Sequence, residues 1–484
     1  MSSLSKSYAY LPLALLTACA AAPFQPSPHY ATVTKHLDVG GQVLLYSDVD
    51  GDLASGADYL DKLVTRIRAT HPDVKLDRFK ARRILEQLGL DQILALGLSS
   101  IRDGKIFHNK AFFAYGKERR GLLLMTAAAP HELDVIRAPG DADIVFESDL
   151  KLKSLVDLIE SLAKELVGDE AKALFGALDT IVPMTSLSWR QLAAHLDTRL
   201  IGVVRIDEGR SLVSPGDDKI SLPGFDILVS LDDMAVLFDA YADLLRSFPM
   251  VASSTEGDMQ WLEVDARVAG SPWLRPVLAK HAKTGRLFLA TSKDFVKEYL
   301  ADKTIGKRTL GQAPDFKRAT ARFLPTANGL SYVSGAFLGK VGRFVQRLAK
   351  KDEQVRAGVD LALELLPEAG IPFATQQVAM VDGLYYASYA TTSHKSTLFP
   401  ALAAGPMVLA GTLAVAATSG LRGVANALTG GKSAIEVSPE VPAKPTDEPK
   451  SEADGRRRPE TARKRLHSPE QGARPSSKSR KPEK

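Results

Sequence analysis

The sequence predicts an α+β protein in which a strand, an amphipathic helix and an antiparallel meander recur as a repeated unit, followed by an Ala-rich C-terminal helix and a disordered tail. Three observations carry this. Short apolar runs of strand character lead four times into segments with apolar residues at helical spacing. Asp-Gly pairs between β-rich runs mark two-residue hairpins. Hydrophobic content of 45% with 25% charged residues is that of an ordinary globular chain.

The first unit opens with Val43-Leu44-Leu45-Tyr46 and continues into helical spacing through Leu53, Leu60, Leu63 and Ile67. Ile93 to Ile101 and Lys105 to Tyr115 then flank Asp103-Gly104 as a hairpin, and Gly121 to Met125 suits a further strand. The second unit runs from Ile144 to Asp149 into a helix bearing Leu152, Leu155, Val156, Ile159 and Leu162, with a strand from Leu200 to Ile206. The third begins at Ile227-Leu228-Val229-Ser230-Leu231 and passes into a helix carrying Val236, Leu237, Tyr241, Leu244 and Leu245. Trp261 to Val268 and Arg286 to Ala290 follow as strands, and Ser292 caps a short helix from Lys293 to Leu300. The fourth pairs Leu330-Ser331-Tyr332-Val333 with Phe337, Val341, Phe344, Val345 and Leu348, then places Asp382-Gly383 between strands at Gln376 to Val381 and Leu384 to Tyr389. A spacing of about 85 to 100 residues is longer than that of solenoids and propellers and fits duplication of a small α+β unit.

Roughly 350 residues of body exceed the ~250–300 over which one core normally grows, which predicts two domains. The turn-forming stretch Ser214-Pro215-Gly216-Asp217-Asp218 sets the boundary, giving α+β domains at 42–213 and 219–392 with two units each.

At the N-terminus, Tyr8 to Leu16 is an apolar run of the length of a signal peptide's hydrophobic region and too short to span a bilayer. It ends at Leu16-Thr17-Ala18-Cys19, which contains the chain's one cysteine. This stretch resembles the lipobox of bacterial lipoproteins. The resemblance implies that residues 1–18 are a signal peptide, that Cys19 is lipidated through sulfur, and that residues 19–41, with Pro23, Pro26 and Pro28, are a tether. The alternative is an ordinary signal peptide cleaved near Ala18, Ala20 or Ala21. Either way, export without a second cysteine excludes intrachain disulfides and leaves stability to the core. The body also resembles uncharacterised exported bacterial proteins built from such units.

Beyond the body, 398–418 is uncharged and long enough to cross the ~30 Å hydrocarbon core, so it is read as a transmembrane helix against the competing reading of a buried Ala-rich helix. From Lys432 onward, 14 basic residues stand against 9 acidic ones, a surplus equal to the chain's net charge of +5. The body is therefore near neutral, and its charge gives no reason to predict specific nucleic-acid binding. The segment 432–484 is too polar to fold. With a span, the positive-inside rule puts this tail in the cytoplasm and the domains outside; without one, the tail lies outside and suits anionic lipid or polysaccharide.

No motif with a chemical mechanism survives inspection. Asp48-Val49-Asp50-Gly51-Asp52 resembles a calcium loop, but Leu53 stands where glycine is required and Tyr59 where glutamate is. The plainer reading makes the strand-end aspartates helix caps. His131-Glu132 lacks the second histidine of a zinc protease, and His36, His71, His108, His195 and His281 are scattered. Gly339-Lys340 and Gly431-Lys432-Ser433 fail the phosphate-loop pattern, and Ser331 and Ser334 do not form a nucleophile elbow. No catalytic, cofactor or metal residue is assigned. The expectation is a non-catalytic, membrane-anchored cell-envelope lipoprotein with extracytoplasmic domains and a binding or scaffolding role. The alternatives are an exported hydrolase with a dispersed site and a carrier of apolar ligands.

Overall fold

The computed structural model describes residues 26–396 apart from 73–75, 127, 184, 186, 214–220, 266–273, 302–307 and 350–369. Cys19, the candidate span 398–418 and the tail 432–484 lie outside the described residues. Among the described residues, no helix is long and apolar enough to cross a membrane.

The strands are β1 (Val43–Asp48), β2 (Ile93–Asp103), β3 (Ile106–Tyr115), β4 (Ile144–Asp149), β5 (Arg199–Val213), β6 (Ser221–Leu231), β7 (Val251–Glu256), β8 (Met259–Val264), β9 (Val277–His281), β10 (Leu287–Ala290), β11 (Gly329–Val333), β12 (Phe373–Ala379) and β13 (Gly383–Ala390). The helices are α1 (Tyr30–Thr34), α2 (Asp52–Thr70), α3 (Ala81–Leu88), α4 (Leu152–Val167), α5 (Glu170–Phe175), α6 (Trp189–His195), α7 (Ala235–Arg246), α8 (Lys293–Leu300), α9 (Pro314–Thr320) and α10 (Gly335–Ala349). The chain is α+β, and β1, β4, β6 and β11 each lead into a long helix, α2, α4, α7 and α10.

All of these strands join one 13-stranded antiparallel sheet in the order β1-β2-β3-β13-β12-β11-β4-β5-β6-β10-β9-β8-β7. The C-terminal three-strand unit therefore lies in the middle, with β13 on β3 and β11 on β4. The boundary expected at 214–218 falls between β5 and β6, which are hydrogen-bonded neighbours. Strands from both sides of it interleave in a single sheet.

Both hairpins form with their loops one residue away from the expected Asp-Gly pairs: Gly104 and Lys105 connect β2 to β3, with Gly104 in the left-handed region at φ 60°, and Val381 and Asp382 lie inside the Met380 N–H to Gly383 carbonyl bond (2.8 Å) that closes the second. Ser292 accepts a hydrogen bond from the Phe295 N–H (3.2 Å) and caps α8 as expected. Three local differences have physical causes. The segment expected as a strand at 121–125 forms 3₁₀ turns, because the open side of β3 is taken by β13. β5 runs past Ile206 to Val213 across an irregularity between Asp207 and Ser211. β7 went unread because Ser253, Ser254 and Thr255 are exposed polar residues on an edge strand with no apolar alternation.

The sheet buries its two faces unequally. On one, Phe112, Tyr385, Val378, Leu330, Val145, Ile201, Leu228, Phe288 and Trp261 belong to a single buried core. It is covered by α1, α8, α9 and the short turns at Asp134–Arg137 and Leu310–Gln312. Val33 of α1 is fully buried above Gly97, where a side chain would collide with it, so residues within the segment read as tether pack on the sheet. On the other face, Met234, which precedes α7, and Phe238 and Ala242 of α7 pack on Leu231, Leu262, Leu278 and Leu287.

Gly89 ends α3 with φ 71°, and a Cβ there would collide with the Arg120 carbonyl oxygen. Gly89→Ala should lower stability by about 2–4 kcal/mol in urea unfolding, from left-handed strain and backbone crowding. Gly56→Ala, inside α2 with open space around it, should be neutral or stabilising by up to ~1 kcal/mol in the same measurement.

Candidate functional site

The densest gathering of ionisable side chains lies on the deeply buried face, at one end of β4, β5, β6 and β10. Period-2 alternation places it: Glu147 and Asp149 point the same way as buried Val145, and Arg199 is the cross-strand partner of Asp149. The Asp232 N–H bonds the Arg199 carbonyl (3.1 Å), which carries the pairing one residue past β6. Arg286 immediately precedes β10 beside it. His131 arrives from the segment before the 3₁₀ turn, Asp134 from the first residue of that turn, and Tyr299 from α8.

The charges alternate. Arg199 meets Asp232 at 2.7 Å and lies 3.6 Å from Asp134 and 3.5 Å from Glu147. Arg286 donates to Asp134 at 2.7 Å and also to Asp232. His131 lies 3.1 Å from Asp149 through Nε2 and 3.7 Å from Glu147 through Nδ1. Asn328 Nδ2 donates to the other oxygen of Asp149 at 3.0 Å.

The two carboxylates nearest the core respond in opposite ways. Burial disfavours charge on Asp134, but the Arg286 hydrogen bond and the charges of Arg286 and Arg199 outweigh it and hold the carboxyl below the usual range. Glu147 has a fully buried side chain, and burial pushes its carboxyl up despite the Val135 N–H (2.7 Å) and Arg199. Its Oε1 and the Tyr299 hydroxyl have no hydrogen-bond partner among the described residues, and burial raises Tyr299 as well.

A carboxylic acid with a raised pKa beside a histidine is a candidate general acid. The surroundings argue for a structural role. Asp134 and Asp232 each contact both arginines, and the Glu147 side chain has no exposed surface. Two clefts among the described residues lie elsewhere: one of about 750 Å³ between α3 and α4, lined by Arg83, Arg120, Lys153 and Asp157, and one beside the β2–β3 hairpin. The cluster therefore joins the ends of β5, β6 and β10 to the segment crossing above them.

The strand-end aspartates correct the capping expectation. The residues preceding α2, α4 and α7 are Gly51, Lys151 and Met234, none of which makes a side-chain cap hydrogen bond. Asp149 and Asp232 are instead drawn to His131, Asn328 and the two arginines, while Asp48 accepts from the Asp50 N–H (3.1 Å). The other histidines remain dispersed, with His36 stacked on Phe112 at 4.1 Å and 3.9 Å from Asp382. Ser334 caps the start of α10 by accepting from the Phe337 N–H (3.1 Å). Sequence reading missed the cluster, although a charged Glu147 on the apolar side of a strand was a signal for it.

Comparison of the chain with protein-family models, with curated proteins and with solved structures gave no match.

Asp134→Asn should cost about 2 kcal/mol at pH 7. Its folded-state pKa is depressed, so the stability it supplies is present above the unfolded value of ~4 and is lost as pH falls through the folded value. Glu147→Gln should show the opposite slope. A raised folded-state pKa gives a contribution that is full below ~4.3 and lost as pH rises, so this variant should gain on the parent from pH 4 to pH 8. Urea unfolding at pH 4, 6 and 8 checks both, and parallel pH profiles for the two variants would contradict the assignment.

Proposed function

We propose that the chain is a non-catalytic lipoprotein of the cell envelope, anchored through Cys19, whose body works by binding or scaffolding outside the cytoplasm. The observation that carries this reading is the single cysteine placed at the end of a short apolar N-terminal run, in Leu16-Thr17-Ala18-Cys19. The non-catalytic part draws support from the acid–arginine cluster, where the carboxylates and cations assembled by the fold are turned on one another.

Lipidation is tested by growing a bacterial host that expresses the full chain on an alkyne-bearing fatty acid. The parent should carry the label and Cys19→Ser should lose it. An unlabelled parent, or label retained by the variant, rejects the anchor.

The second anchor at 398–418 makes a separate prediction. A tag placed after Lys484 should resist external protease when the outer membrane is permeabilised and the inner membrane is intact. Removal of the tag would leave Cys19 as the anchor and the tail on the outer side.

A further inference from the structure

The cleft beside the β2–β3 hairpin has a volume of about 470 Å³, within the range of small-ligand sites. Lys105, Arg318 and Arg322 line it together with Asp103, the one carboxylate among its described lining residues. Arg318 is shared with Asp315 at 3.0 Å, while Arg322 makes no hydrogen bond or ion pair among the described residues.

Two deeply buried polar side chains also line the cleft. His108 is 7% exposed and Tyr389 is 3% exposed, and their rings meet edge to face at 5.4 Å. The Nε2 of His108 faces Asp103 at 3.6 Å. Ile106 and Ile371 add apolar wall to the same cleft.

Guanidinium groups match the geometry of oxyanions, and two arginines on one cleft, Arg322 without a protein partner among the described residues, favour an anionic group with several acceptor oxygens. We propose that this cleft binds an organic phosphate, with Arg322 and Arg318 at the phosphate and the apolar remainder of the ligand against Ile106, Ile371 and the Tyr389 ring. The phosphate belongs either to a soluble phosphomonoester or to a phospholipid headgroup. The assignment names a ligand for the binding role proposed above. It stands or falls separately from the lipid anchor, because loss of fatty-acid label at Cys19 leaves binding at the cleft unchanged.

The test is isothermal titration of the full chain, in neutral detergent, with hexyl phosphate and with inorganic phosphate, alongside co-sedimentation with phosphatidylcholine vesicles containing phosphatidylglycerol. Arg322→Gln is compared with the parent and with a tail control in which Arg456, Arg457 and Arg458 are replaced by glutamine. Arg322 is exposed, so its replacement should leave the melting temperature unchanged. Arg322→Lys, which keeps the charge and loses the fork, serves as a second variant. Saturable binding of hexyl phosphate, weakened about 10-fold by Arg322→Gln and unaffected in the tail control, supports a soluble phosphomonoester. Vesicle binding that depends on Arg322 and not on the tail supports a headgroup. No saturable binding of any probe, or equal binding by the parent and Arg322→Gln, overturns the proposal.

Discussion

The pairing of β13 with β3 and of β11 with β4 is the constraint on which the rest of the structure depends. Two sets of strands made early in the chain, β1–β3 and β4–β10, have no ladder with each other except through this late three-strand insert. The buried face is continuous for the same reason: Tyr385, Val378 and Leu330 of the insert connect Phe112 on one side to Val145 and Ile201 on the other. An antiparallel sheet of this width has few ways to hold its covering segments in register, and here ionic contacts do so at two points along β5. At its start Arg199 faces Asp232 and Asp134; near its middle Arg205 faces Asp226 at 2.7 Å and Glu298 at 3.1 Å.

Helix α8 lies between these two joints. Arg205 stacks over its Phe295 at 4.9 Å and pairs with its Glu298, while its Tyr299 sits among the charges of the other cluster. Such buried pairs contribute little net stability compared with well-packed apolar groups, but removing one partner strands a charge in the interior. Their value here is positional. Asp143 applies the same device to α10: it is almost completely buried and takes Lys340 at 2.8 Å, Ser334 at 3.0 Å and the Ile206 N–H at 2.7 Å.

The local units were legible because they rest on local rules. Alternation marked β4, helical spacing marked α4 and α7, Asp-Gly marked both hairpins, and Ser292 marked the start of α8. Sheet order was not legible, because hydrogen-bonding edges carry no sequence label: nothing in Lys105 to Tyr115 distinguishes β13 from 121–125 as its neighbour. The ionic cluster escaped for a related reason. Glu147 reads as a lone charge on the apolar side of a strand and Asp232 as a cap until Arg199 and Arg286, far along the chain, are brought beside them.

Placing the last-made strands in the centre of the sheet has a consequence for synthesis. When β4 leaves the ribosome, the strand that will pair with its free side, β11, is still about 180 residues away, or ~10–40 s at ordinary elongation rates. Through that interval β3 and β4, both rich in apolar side chains, each present an edge of unpaired N–H and C=O groups of the kind that recruits strands from other chains. The nascent chain therefore passes through a period in which it depends on being shielded, and the length of that period is set by the distance in sequence between Asp149 and Gly329 rather than by the stability of the finished sheet.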